Sequence, residues 1–498
     1  MIRNRIRFLV LIFIASGFSF AYSQQTIKLT LEQTIMLAAD SSLEAFRTKN
    51  LFMSSYWLYR SFKADRLPSF TLDLSPGQYN RSMVKRYDST SDLDTYRLQQ
   101  VYEANGGLSV VQNFDLLGGT FFMNTNLNYM RNLGNNPYTQ FTSVPFRIGY
   151  RQNLLGYNAF KWEKKIEPLK YEKAKKQLIS DFESIALSAT TQFFYLARTQ
   201  DEYNLAKEVV YNTDILYQRG VERYDIAAIS KADLEVLQLD QIVALNRLKR
   251  AESNLNRAMF NLVSFLDLDK NTTIQLELPS YPKSMEISVD KALEEAQKNN
   301  PDFLGYQQNI LNNQRNVDRT RKESMFNATI SASVGFNQVA RKIDRVYQDP
   351  RRQDIVSLNV SIPLVDWGKR KGQYNMARNE LRVVEIQARQ GEIRIEEDVI
   401  MTVNDFNIQK DLITSAEEAL RLAENGYTNV QERFLLGTTD IITLTHRRNA
   451  QEQARIDYIS ALENYWASYY KIRRLTLFDF EYNLPLTNTI EVTIIKNY

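Results

Sequence analysis

Cysteine is missing from this chain and histidine occurs once. Disulfides, iron–sulfur clusters and thiol chemistry are therefore excluded, and there is no cysteine to carry the acyl anchor of a bacterial lipoprotein. Excess charge is also missing. The net charge is +4, and without Arg3, Arg5 and Arg7 at the extreme N-terminus the balance is 59 basic against 58 acidic residues, so nucleic acid is not an implied partner. Beyond the first 23 residues no apolar run reaches the roughly 18 residues of a membrane helix. Entry into a bilayer would then require a closed barrel.

What is present begins with an address. A basic start, an apolar run from Phe8 to Phe20 and Ala21-Tyr22-Ser23 predict a cleavable secretory signal over residues 1–23. Thr30 to Asn50 opens with an amphipathic helix. Ser41-Ser42-Leu43-Glu44 predicts a capping box for the next helix, which carries Phe52, Tyr56, Trp57 and Tyr59 and stops at Pro68.

From Phe70 the period changes to two. Phe70, Leu72 and Leu74 alternate with Thr71, Asp73 and Ser75. Further strands are expected over Leu98 to Phe114, Thr120 to Met130 and Phe146 to Leu154, with polar loops over Ser82 to Asp94 and Asn132 to Ser143. Helical spacing returns at Gly156 and runs to about Arg219, with Leu178, Ile185, Ala189, Leu196, Ala206 and Tyr217 on a seam of alternating three and four. Residues 220–229 read as a turn. Leu237, Ala244, Ala251, Ala258 and Leu262 then mark a return arm.

After a linker at 267–287 the pattern starts again at Ser288. Two alternating segments, Ala328 to Phe336 and Val356 to Leu364, precede a very long helix from Trp367. Its seam is Val399, Phe406, Ile413, Leu420, Tyr427 and Phe434, and it breaks at Leu436-Gly437-Thr438 before a return arm to Phe478. An arm of about 68 residues is about 100 Å long. The offset between halves is 258 residues at the helix-to-strand junctions, Leu67 to Met325, and 210 at the hairpin breaks, Ala227 to Gly437. All 48 extra residues of the first half therefore lie in its strand region, enough for two more strands and a loop.

The repeated opening at Leu29 and Ser288, the junctions at Leu154-Leu155-Gly156-Tyr157-Asn158 and Ile362-Pro363-Leu364-Val365-Asp366-Trp367-Gly368, and the break at Gly437 resemble the TolC-type outer-membrane efflux protein family in its Bacteroidetes-like form. The resemblance implies a mainly α protein with a β-barrel part: long antiparallel coiled-coil hairpins plus transmembrane strands, two structural repeats, and a trimeric barrel and tunnel. The expected layout is a first repeat at 24–266 (strands about 68–155, hairpin about 156–266), a second at 288–480 (strands about 327–365, hairpin about 366–478) and a tail at 481–498. The family's four strands per chain make a shared twelve-stranded barrel. Six are counted here, so either the barrel is larger or the extra pair stands outside it.

The implied role is a passive homotrimeric duct in the outer membrane, extending into the periplasm. Its implied partners are a periplasmic adaptor and an inner-membrane transporter of an efflux or type I secretion system, with no cofactor and no catalysis. Adaptor docking is expected at the hairpin tips, Ile226, Ala227, Ala228, Leu436, Gly437 and Thr438. The family's gate positions fall on Asp233, Thr439, Thr443 and His446, so its acidic ring and arginine clasp are not expected as such. Three copies of His446 facing one another would make a pH-sensitive constriction; a solvated helix flank is the other reading. Lys161, Trp162, Lys164, Trp367, Lys369 and Arg370 are either membrane-interface anchors or ordinary solvated helix ends. Charged runs such as Glu396-Glu397-Asp398 read as the wet face of a helix, and no convergent catalytic set accompanies them. The rival architecture is a periplasmic coiled-coil adaptor or scaffold.

Overall fold

The computed structural model describes residues 26–486 apart from 91, 135, 136, 155 and 282–284. The expected signal peptide, Leu155 of the first junction and residues 487–498 of the tail lie outside the described residues. Contacts divide the chain into two compact units, each assembled from both halves of the sequence.

Of the described residues, the first unit takes in those within 26–50, 178–300 and 396–486. It opens with β1 (Thr26–Leu29) and α1 (Leu31–Ser41), capped by Thr30 and Gln33 in a reciprocal box. The box expected one helix later is not formed. Ser42 alone caps α2 (Leu43–Ala64) through the Ala45 N–H at 3.1 Å, Ser41 bonds back to the Leu37 carbonyl within α1, and Glu44 pairs with Arg47. Four long helices share this unit with the rest of their length elsewhere or wholly inside it: α3 (Ala159–Asp225), α4 (Lys231–Phe265), α7 (Lys369–Leu435) and α8 (Ile441–Thr476). Their seams are buried as the heptad spacing requires, with Ile185, Ala189, Leu196, Ala258, Leu262, Val399, Phe406 and Ile413 nearly free of solvent.

Between α4 and α5 (Val289–Asn299) the expected linker contains a strand. β6 (Thr273–Leu276) pairs in parallel with β1, Thr26 opposite Thr273 to Leu29 opposite Leu276. Four residues are too few for a periodicity to show. At the end of α8, Leu477 takes a left-handed conformation and leads into β9 (Phe478–Asp479), which pairs with β10 (Leu484–Pro485). There Arg473 makes a two-pronged pair with Glu183 at 2.9 and 3.0 Å and a third contact with Asp479 at 2.7 Å, and the Tyr469 hydroxyl donates to Asp479. All four are largely buried, so the charges satisfy one another in place of water.

The second unit takes in residues 51–177 and 301–395. Six strands form one antiparallel sheet in the order β2 (Ser69–Asp88), β3 (Leu93–Phe114), β4 (Gly119–Asn132), β5 (Tyr138–Leu154), β7 (Asn327–Ala340) and β8 (Arg351–Ser361). The count matches the expectation; the boundaries do not. The loops expected over Ser82 to Asp94 and Asn132 to Ser143 are mostly strand, because Met83, Lys85, Thr139 and Phe141 pair across the ladder without an apolar/polar alternation to announce them. The final strand ends at Ser361, so Ile362 and Leu364 belong to the connection to α7.

The ladder places residues of one parity on one face. Phe70, Val110, Met123, Ile148 and Val334 lie side by side, as do Phe121, Tyr150, Ala332 and Val356. The opposite face carries Thr71, Ser109, Asn124, Arg147 and Gln353, the last two hydrogen-bonded at 3.1 Å. Two aromatic rows edge the apolar face. Phe114, Phe121 and Tyr150 are at 5.9 and 4.5 Å, and Tyr102, Tyr129 and Phe141 at 6.2 and 5.1 Å between ring centres. α2 stacks on α3 in this unit through Tyr59 and Tyr171, 4.6 Å apart and nearly parallel. α6 (Pro301–Glu323) leads into β7.

Candidate functional site: the two hairpin tips

Both long hairpins turn within the first unit, and they turn in the same way. Arg433 and Phe434 accept from Thr438 and Gly437, at 2.9 and 3.0 Å; Arg223 and Tyr224 accept from Ala228 and Ala227, at 2.8 and 2.9 Å. Each is the paired closure that satisfies the last carbonyls of a helix, and it requires a left-handed residue at its centre. Gly437 meets that need at φ 76°, whereas Ala227 is forced to φ 54°. The first turn is thus shorter than expected: α3 runs on to Asp225, and Gly220 stays helical. A methyl at 220 would stand 2.4 Å from a Leu237 methyl, so that glycine serves close helix approach rather than a break.

Each return helix is then capped by a hydroxyl and a carboxylate in exchanged positions. Before α4, Ser230 is the cap and Asp233 reaches back, with 2.7 Å between Ser230 Oγ and the Asp233 carboxylate and 3.0 Å from the Ser230 N–H. Before α8, Asp440 is the cap and accepts from the Thr443 N–H at 2.8 Å and its hydroxyl at 2.9 Å. Bonds from Ser230 hold the Asp233 carboxyl below the usual carboxylate range, and bonds from Thr443 do the same for Asp440.

Below the turns the four arms share a small core of Leu216, Leu237, Tyr427 and Leu444, backed by Val430, Phe434 and Ile441. Asn212 donates to the Tyr427 hydroxyl at 3.3 Å. Between the tips lies a cavity of about 260 Å³, walled by Leu216, Gly220, Leu237 and Phe434 and rimmed by Arg219, Arg223, Asp233, Thr439 and Asp440. The outer surface of the tips is apolar: Ile226 is 75% exposed and Leu436 78%, with Ile442 beside them.

The expected tip residues are therefore brought together in one place. Of the gate positions, Asp233 and Thr439 edge the cavity and Thr443 completes a cap, while His446 is exposed on α8 outside the cavity lining. Arg223 was not singled out from sequence, where it is one more basic residue before a turn. The interface candidates lie in the second unit. Trp162 donates to Asp318 at 2.8 Å and carries Lys165 over its ring, so it is tied to α6. Lys161 and Lys164 are exposed. Trp367 is 96% exposed at φ 54°, followed by Gly368 at φ 84°, and Asp366 caps the start of α7 by accepting from Gly368 and Arg370. Lys369 is exposed.

Among the described residues no cluster of His, Asp and Glu is disposed to hold a metal ion, and no helix is long and apolar enough to cross a membrane.

Residues 292–476 match the family model described as outer membrane efflux protein. Toxin and drug export protein A of Aggregatibacter actinomycetemcomitans is 22% identical over 308 residues, 59% of this chain. The match spans 64% of that relative, less than two thirds of its length. In fold, the chain is similar to the outer-membrane channel CmeC of Campylobacter jejuni, at a TM-score of 0.65 and 12% identity over 94% of this chain and 88% of that one. It is similar to the outer-membrane protein VceC of Vibrio cholerae at 0.62 and 12%, over 90% and 95% of the two chains. The open-state outer-membrane channel MtrE of Neisseria gonorrhoeae gives 0.59 and 12%, over 90% and 88%.

Proposed function

We propose that the chain is an outer-membrane efflux protein of the TolC type and the passive exit duct of a tripartite efflux or type I secretion system, assembled as a homotrimer; the family match over 292–476 and the likeness in fold over nearly the whole length support this reading. The observation that carries this reading is the six-stranded sheet with one apolar face, bounded by two aromatic rows. A soluble adaptor or scaffold has no use for such a face in water, and open sheet edges are prohibitive in lipid, so several copies must close one barrel.

A second observation supports assembly through the helices. Beyond its buried seam, α7 keeps a stripe of Met376, Val383, Ile386, Ile393, Met401 and Ile408, each between 52% and 60% exposed in the single chain. Spacings of three, seven and eight suit a neighbouring helix of another copy. No nucleotide-binding motif is present in the sequence, so the driving energy comes from a partner transporter. The apolar tips at Ile226 and Leu436 are where a periplasmic adaptor docks.

The test is biochemical. Purified from outer membrane, the protein should run as a heat-sensitive trimer and conduct ions in planar bilayers. Cysteines placed at Ala227 or Gly437 should cross-link to a periplasmic adaptor in cells. A stable monomer that never conducts would end the proposal.

A further inference from the structure

Resting on the reading of the chain as a trimeric channel, we infer that its barrel is eighteen-stranded, three copies contributing six strands each and joined β8 to β2, instead of twelve-stranded with a strand pair left outside. Within the chain no strand between β2 and β8 has a free edge. β3 is laddered to β2 from Ser69 opposite Val111 onward, and to β4 without interruption from Val101 opposite Asn132 to Phe114 opposite Gly119. Freeing β4 to act as the edge of a four-stranded contribution would break that whole second ladder. In lipid each unpaired group costs several kcal/mol.

The β3–β4 turn is also keyed into the chain beside it. Arg66 pairs with Asp115 at 3.2 Å, Asn158 donates to the Asp115 carbonyl at 3.0 Å, and Gln152 donates to the Leu117 carbonyl at 2.7 Å. The aromatic rows cross β3, β4 and β5 alike, so β3 shares the level of the strands that follow it.

The stagger fits closure. Following partners across the sheet, Ser69 is level with Val111, Phe122, Gly149, Ser333 and Ile355, yet β8 continues six residues further to Ser361. If the two ends lie at one membrane surface, six residues of drift over five strand spacings is a tilt of about 40°, inside the range of closed barrels. Diameter grows roughly linearly with strand number. The mouth is then about one and a half times as wide as with twelve strands, with about twice the cross-section, lined by Thr71, Asn124, Arg147 and Gln353.

A chain without native cysteine makes the test clean. Thr71→Cys is combined in turn with Ser357→Cys, Asn359→Cys and Ser361→Cys, all on the same face, and the oxidised outer-membrane protein is run on denaturing gels. The inference expects a covalent trimer from at least one pair. The competing set joins Asn126→Cys to the same β8 positions; a covalent trimer there would make β4 the edge and overturn the eighteen-stranded barrel while leaving the trimeric channel intact. Strands counted in an electron cryomicroscopy map of the unsubstituted assembly read the same quantity independently, and any number but eighteen overturns it. An assembly that is not a trimer at all would fail the parent reading too, and is told apart by its mass.

Discussion

Arg223 of the first hairpin lies against Gly437 of the second: a methyl built on Gly437 would be 2.9 Å from the Arg223 Nη2 atom. The glycine thus answers two demands at once, a left-handed turn and room for a guanidinium. The equivalent turn at Ala227 answers neither with glycine and carries the strain.

Opposite responses at the two tips follow. Gly437→Ala should destabilise the second tip by about 1 kcal/mol from backbone strain alone, with displacement of Arg223 in addition, whereas Ala227→Gly should stabilise the first by a similar amount. Amide exchange at 224–228 and 434–438 reads both. Equal exchange in wild type and both variants would show that the left-handed closures are not formed in the assembled protein.

Acid should loosen the tips. The folded values of Asp233 and Asp440 are depressed, so their contribution is complete above the ordinary aspartate value of about 3.9 and is lost as pH falls through the lower folded values. A nitroxide on Leu436→Cys should become more mobile in that acid window. Asp440→Asn, which still accepts at the cap, should flatten the step without loosening the tip at neutral pH.

Much of the tip was legible in the sequence, and the reasons are physical. The seam of Val399, Phe406 and Ile413 declares itself because a heptad over dozens of residues leaves one geometry, and Gly437 stands where that seam stops. Gly220 misled because a glycine admitting a neighbour's Leu237 looks, in sequence, like one that ends a helix. The cap of α2 was misplaced by one residue since Ser41 and Ser42 are chemically alike, and only the chain path decides between them. Polar strands such as the outer half of β2 are set by their partners, which no local pattern reveals.

The charges around Arg473 should behave as a unit. Arg473→Leu leaves Glu183 and Asp479 buried without a cation and should cost about 3–5 kcal/mol, while replacing Arg473 and Glu183 together by apolar residues should recover part of it, Asp479 keeping the Tyr469 hydroxyl and the 481 and 482 N–H groups. Thermal denaturation of the three proteins distinguishes this from simple loss of packing, for which the double variant would be worse than the single.

The sheet offers the sharpest contrast, because adjacent residues must meet opposite solvents. Met123 and Asn124 are neighbours on β4 between the two aromatic rows, the first on the apolar face beside Ile148 and the second on the polar face beside Arg147. Eight residues separate Phe121 from Tyr129 on that strand, which at about 3.4 Å each and a tilt of about 40° makes a band of roughly 21 Å, close to the height of an outer-membrane barrel's apolar belt. Met123→Arg should therefore cost about 2–4 kcal/mol of stability in lipid and reduce the assembled protein recovered from outer membrane. Asn124→Arg should insert normally and shift ion selectivity toward anions, since the added charge faces water. If both variants were tolerated alike, or if Asn124→Arg were the harmful one, the assignment of the two faces would be wrong, and the barrel with it.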